Sequence, residues 1–151
     1  TFNPGIYVLK GGLPAALSIV TGAKITAEGV MFYNTGSRYD SVTGTPDRND
    51  GARYRLPLRE RFGAITIAAP RMTLTGLDDA TSIFDGMVIY QRRRNLLPIT
   101  LLAKFIEGSV YARWSPITLT GATSHPVQLV GGTLVLVNPP FRKGPFTYLV
   151  E

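Results

Sequence analysis

The sequence predicts an all-β chain, and within that class a right-handed parallel β-helix. Three observations carry the prediction. Almost no window places apolar residues at i, i+3, i+4 and i+7, the spacing of an amphipathic helix. Short runs of β-branched and aromatic residues recur from end to end, with Gly, Pro, Asn or Asp in nearly every gap. Several of these runs are versions of one another at spacings near a solenoid coil of roughly 20 residues.

The predicted strands are Ile6–Leu9, Leu17–Val20, Lys24–Ala27, Val30–Tyr33, Ile65–Ala68, Met72–Thr75, Met87–Tyr90, Ile99–Leu102, Val110–Ala112, Ile117–Thr120, Val127–Val130 and Thr133–Val137. Gly29-Val-Met-Phe-Tyr33 and Gly86-Met-Val-Ile-Tyr90 share one pattern, and Gly108-Ser-Val-Tyr-Ala112 follows Gly86 by 22 residues. Pro98-Ile-Thr-Leu and Pro116-Ile-Thr-Leu are 18 residues apart, and Pro126-Val-Gln-Leu follows Gly108 by 18. Gly5-Ile-Tyr-Val8 precedes Gly29 by 24. Each coil then carries a Gly-led strand, a strand of the form Ile-Thr-Leu and often a third. One coil cannot bury its own inward face, whereas stacked coils make a continuous column of Val, Ile and Leu. Glycine suits corners that need positive φ. The alternative all-β architecture is a β-sandwich. Its usual hairpin dipeptides exist at Asp50-Gly51 and Asp85-Gly86, but neither sits between two alternating runs.

A length of 151 residues fits one domain, residues 1–151, and a hydrophobic content of 44% is enough for a real core. Residues 34–63 form a predicted insertion, with Arg38, Arg48, Arg53, Arg55, Arg59 and Arg61 among few apolar residues. Thirty structureless residues in a compact domain are often functional. Arg53, Arg55, Arg59 and Arg61 interleave with Tyr54, Leu56, Leu58 and Phe62, a pattern suited to an added edge strand or a neighbouring molecule. Residues 139–151 form a C-terminal tail that holds Phe141, Phe146 and Tyr148, too apolar to remain free. The tail either packs along its own solenoid or adds to another copy. Arg53, Tyr54, Arg55, Arg59, Phe141, Phe146 and Tyr148 are therefore the expected self-association residues. Repeated head to tail, such contacts give an open filament.

Composition excludes several chemistries. No Cys removes disulfides, thiol nucleophiles and thiolate metal sites, and a single His, His125, removes multi-histidine sites. There is no Gly-x-Ser-x-Gly elbow and no phosphate-binding Gly-x-x-x-x-Gly-Lys-Ser/Thr loop. Asp78-Asp79 alone falls far short of a calcium site. No cofactor and no metal are expected, nor any run of the ~20 apolar residues that span a membrane.

The formal net charge is +6, with 12 Arg among the 16 basic residues. The densest charge, Arg92-Arg93-Arg94, joins Arg113 and Trp114 as an expected anion or glycan site. An acidic polysaccharide is the partner that this site would take. Specific nucleic-acid binding is not expected, because the arginines gather in one insertion and one loop. Asp85 and Glu107, each just before a Gly-led strand, could stack on successive coils. With Arg92, Arg94, Lys104 and Arg113 they form the best candidates for a carbohydrate-cleaving enzyme, the runner-up reading.

The stretch Phe2-Asn-Pro-Gly-Ile-Tyr-Val-Leu-Lys-Gly-Gly-Leu13, then Leu17-Ser-Ile, then Gly22-Ala-Lys-Ile-Thr-Ala-Glu-Gly-Val-Met-Phe-Tyr-Asn-Thr35, resembles the C-terminal β-helical region of TadG-related proteins of the tight-adherence (Flp) pilus system. Ile83–Arg92, Ile106–Ala112 and Gln128–Leu134 follow the same order, so the likeness spans most of the chain outside the insertion. The resemblance implies a right-handed parallel β-helix, exported, with a structural or surface role and no catalytic residue. The expectation is a non-enzymatic, self-associating protein of a bacterial envelope or extracellular filament, located at the cell surface or outside the cell.

Overall fold

The computed structural model describes residues 1–12, 14–42, 60–121 and 127–137 in full, and 146–150 as backbone. The described residues are all-β, with no helix. Among these residues are nine strands: β1 (Gly5–Lys10), β2 (Ala15–Val20), β3 (Ile25–Ala27), β4 (Val30–Thr35), β5 (Ala64–Thr75), β6 (Met87–Gln91), β7 (Ile99–Thr120), β8 (Val127–Val137) and β9 (Phe146–Val150). Every strand pairing among the described residues is parallel. The sandwich alternative is therefore excluded, because sandwiches are built from antiparallel sheets.

The chain winds as a parallel β-helix with three faces. The first face stacks β1, β4, β6, residues 108–112 of β7, residues 127–131 of β8, and β9. The second face carries β2, residues 64–69 of β5 and residues 99–103 of β7, and also residues 116–120 of β7 paired with 133–137 of β8. The third face stacks β3, residues 72–75 of β5 and residues 105–107 of β7. The long strands β5, β7 and β8 thus turn corners, and the several short runs read from the sequence are segments of them.

The core is a set of in-register columns. Tyr7, Phe32 and Ile89 line the inside of the first face, with Val110 and Leu129 below. Ile19, Ile67 and Leu101 line the second, and Ala27, Leu74 and Ile106 the third. All but the outermost rung are sealed from solvent.

The Gly-led repeat has a backbone cause. Gly5, Gly29, Gly86 and Gly108 each stand at the start of a first-face strand with positive φ, at 133°, 65°, 71° and 121°. That conformation turns the chain from the third face into the first, and a Cβ penalises it. The offsets differ by one from simple glycine matching. Gly5 pairs with Val30, 25 residues on, and Gly108 pairs with Val127, 19 on. The inward ring of Tyr7, which packs on Phe2 and Phe32, sets the first offset. A one-residue slip would turn Tyr7 out and Ile6 in.

One boundary shifts, and one of the two arrangements open to the tail is observed. The insertion begins later than residue 34, because Asn34 and Thr35 are the fully buried end of β4. Its base is tied where Ser37 N donates to Arg61 O and Arg61 N to Ser37 Oγ, at 2.9 and 3.0 Å. The tail segment 146–150 is a rung of its own solenoid, paired with β8.

Candidate functional site

The corner between the first and second faces holds the arginine triplet. Gln91 ends β6 with its side chain inward, and a turn closed by Asn95 N donating to Arg92 O at 2.9 Å follows. Beneath it runs a buried polar column. Asn34 Nδ2 donates to Gln91 Oε1 at 2.8 Å, and Gln91 Nε2 donates to Leu97 O and to Ser115 Oγ at 2.8 and 2.6 Å. Asn34 Nδ2 and Asn95 Nδ2 both donate to Gly63 O, at 2.9 and 3.0 Å. The column pins the return of the insertion to the solenoid, since Gly63 precedes β5.

The triplet does not face solvent as a whole. Arg92 is fully buried and forms an ion pair with Glu60, Nη1 to Oε1 at 2.5 Å. Its guanidinium also lies over the Phe62 ring, 5.7 Å from the centroid. Arg94 is buried too, at 8% exposure. Those two positions are therefore withdrawn from the solvent-facing anion site expected from sequence. Burial of a guanidinium needs a partner, and Glu60 is 32 residues away in sequence, across the insertion.

Arg93, Arg113 and Trp114 remain half-exposed. Arg93 Nε donates to Tyr111 Oη at 3.0 Å, and the Arg113 guanidinium sits 4.6 Å from the Trp114 centroid. Tyr33, Tyr90 and Tyr111 form an outward ladder on the first face, with Tyr90 and Tyr111 stacked at 5.1 Å and 10°. Tyr90 and Tyr111 turn their faces to one another, whereas Tyr33 is tilted by 56° to Tyr90.

The corner between the third and first faces is acidic. An open groove of about 890 Å³ is lined by Glu28, Asp78, Asp85 and Glu107, together with Gly86 and Gly108. The structure thus brings Asp85 and Glu107 to one surface, as their spacing anticipates. Asp85 Oδ1 accepts the Asp79 amide at 3.0 Å, a capping role. Asp79 in turn accepts from the Thr81 hydroxyl and amide, which hold its carboxyl below the ordinary range. Among the described residues no group of His, Asp and Glu is arranged to hold a metal ion. Lys104 lies at the opposite corner, away from this groove.

The two ends of the solenoid are the third candidate surface. Among the described residues, β1 and β2 pair on one side only, with β4 and β5. Residues 133–137 of β8 likewise pair only with β7. Tyr7, Leu9, Leu17 and Ile19 at one end, and Leu134 and Leu136 at the other, are only partly buried against the core. Ile6, Val8 and Val20 are exposed at 50%, 40% and 70%.

Of the expected self-association residues, Arg53, Tyr54, Arg55, Arg59 and Phe141 lie outside the described residues, as does His125. Phe146 and Tyr148 are backbone positions on β9, paired with Val127 and Leu129. Sequence reasoning missed Glu60, Asn34 and Gln91. Among the described residues no helix is long and apolar enough to cross a membrane. No family model, curated protein or solved structure matches the chain.

Proposed function

We propose that this chain is a non-enzymatic structural module that associates head to tail through its solenoid ends. The observation that carries the reading is the open edge of the first coil. Among the described residues, no strand pairs with β1 and β2 on their outer side, where backbone donors and acceptors stand beside half-buried apolar side chains. Such an edge is a template for another strand. The occupant is a second copy, because strand direction and face order match. Residues 133–137 of β8 end the second face in the same polarity in which β2 begins it, and β9 does the same for β1. One copy can therefore follow another as one coil follows the next. The contact is heterologous, so repetition makes a filament and not a closed dimer. The cell surface or the extracellular space is the location assigned, on the resemblance of residues 2–35 to TadG-related proteins.

Negative-stain electron microscopy over a concentration series tests the reading. Filaments about as wide as one solenoid, lengthening with concentration, are expected. The alternation of parallel bonding directs Ile6, Val8 and Lys10 amides to the open edge, since Gly5 N and Gly11 N donate the other way, to Gly29 O and Thr35 O. Val8→Pro removes one open-edge donor without costing a native bond, as prolines do on edge strands. It should fold and fail to assemble. Isolated particles of the wild-type chain at every concentration would sink the reading.

A further inference from the structure

Charge is segregated around the solenoid. Glu28, Asp78, Asp85 and Glu107 line the groove at the corner between the third and first faces, and Asp79 bonds to that set. The corner between the second and third faces is the reverse. Lys24, Arg71 and Lys104 stand there on three successive coils, all exposed. Register places them side by side. Ile25 pairs with Met72, so Lys24 neighbours Arg71, and the irregularity between Ala69/Ala103 and Thr73/Phe105 leaves Lys104 opposite the stretch 70–72 that holds Arg71. Among the described residues no acid stands in this column, and none of the three makes an ion pair. Successive rungs lie about 4.8 Å apart. Three like charges at that spacing repel one another, a cost that an anionic polymer along the axis would turn into attraction.

The neighbouring second face supplies the other half of the surface. Its segments 15–20, 64–69, 99–103, 116–120 and 133–137 contain no charged and no aromatic residue. Ser18, Thr66 and Thr100 stand in register with outward hydroxyls, beside Val20, Ala68 and Leu102. Thr118 and Thr120 belong to the same face.

We propose that the basic column Lys24–Arg71–Lys104 and the hydroxyl-bearing second face form a binding surface for an acidic polysaccharide of the polyuronate type, lying along the solenoid axis. The column meets the carboxylates by charge-assisted hydrogen bonds, with Arg71 able to do so in bidentate fashion. The threonine ladder meets sugar hydroxyls across a flat surface. Single-stranded nucleic acid asks for aromatic platforms, and the face has none. A membrane surface asks for large apolar anchors beside the basic residues, where this face offers mostly Thr, Ala and Val. This surface is distinct from the Arg92–Arg94 corner, and it does not depend on head-to-tail assembly.

The test is a titration of the chain with polygalacturonate, at low salt and below the concentration at which any filaments form. Neutral dextran, anionic phosphatidylserine vesicles and single-stranded DNA serve as comparison probes. Binding to polygalacturonate should weaken steeply with salt, and dextran should not bind. The triple variant Lys24→Gln, Arg71→Gln, Lys104→Gln should lose roughly tenfold or more in affinity and show a flatter salt slope. The matched variant Lys10→Gln, Arg38→Gln, Arg61→Gln has the same net charge and exposed positions, and it should keep most of the affinity. Thr66→Asp with Thr100→Asp should also weaken binding. Equal losses in the two triple variants would reduce the effect to bulk charge and overturn the proposal. So would absence of binding at low salt, or tighter binding of vesicles or DNA than of polygalacturonate. Filament formation by the column variant, read separately by microscopy, keeps this result apart from the assembly result.

Discussion

Arg92 and Glu60 form an ion pair at 2.5 Å whose side chains are 0% and 1% exposed. The pair clamps the returning arm of the insertion onto the corner after β6. Removing one carboxylate or guanidinium takes this compensation from the other buried charge. Glu60→Gln should therefore destabilise the fold by about 3 kcal/mol, whereas Glu60→Leu with Arg92→Met should recover most of that loss. Urea unfolding of the three variants measures both. A double variant as unstable as the single would show that the pair does more than neutralise itself. A Cβ on Gly36 would meet Glu60 Oε1 at 1.9 Å. Gly36→Ala should accordingly be destabilising in the wild-type chain and milder in the Glu60→Leu, Arg92→Met background.

The Gly-led corners predict a contrast between glycines. Gly108 has φ 121°, and a Cβ there would lie 2.3 Å from Gly86 O. Gly22 has open space around the same position. Gly108→Ala should cost about 2 kcal/mol or more from backbone strain and contact together. Gly22→Ala should be near neutral. Thermal melting of both, side by side, checks the claim that the leading glycines are conformational requirements.

Gln91 occupies the centre of the buried polar column. Its Nε2 serves Leu97 O and Ser115 Oγ, and its Oε1 receives Asn34 Nδ2. Gln91→Leu keeps the bulk but strands these groups, and should cost about 1–3 kcal/mol. Denaturant unfolding reads the cost. The loss should be smaller when Asn34 is already Ala, because the two side chains share one bond.

Asp79 offers a titration test. The Thr81 hydroxyl, then the Thr81 and Ser82 amides, hold its carboxyl below the ordinary value. The folded-state value is the depressed one. The hydrogen bonds therefore add stability above the ordinary carboxylate range, and the contribution fades as pH falls through the lower folded value. Asp79 is fully exposed, so the global effect is small and the local one is the readout. NMR titration should find Asp79 below the ~3.9 of a free aspartate, and Thr81→Ala should raise it.

The strand positions were legible because they depend on local features. Alternation, Pro and Gly punctuation, and the recurring Gly-led runs at Gly5, Gly29, Gly86 and Gly108 all act within a few residues. Register was less legible, because a repeat defined by glycines ignores which neighbour turns inward. Tyr7 opposite Phe32, packed by Phe2, settles it in three dimensions. The corner after β6 was least legible. Arg92-Arg93-Arg94 reads as a solvent-facing anion site until Glu60 and Phe62 are brought across a long insertion to cover Arg92. Asn34 and Thr35 looked like the start of that insertion because they are polar. In the fold they are buried, and Asn34 is paid for by Gln91 and Gly63. One local hint existed: polar Gln91 closes an otherwise apolar strand, which marks a buried polar partner across the rung.

The most direct test of head-to-tail association is amide hydrogen exchange at β1 as a function of protein concentration. The amides of Tyr7 and Leu9 are directed to β4, by the alternation that Gly5 N and Gly11 N fix, and should be protected at all concentrations. Those of Ile6, Val8 and Lys10 face the open edge. Fast exchange when dilute, turning to strong protection when concentrated, is the predicted result. If these three amides stay fast while the sample is concentrated, the first coil has no strand partner and the association reading is wrong.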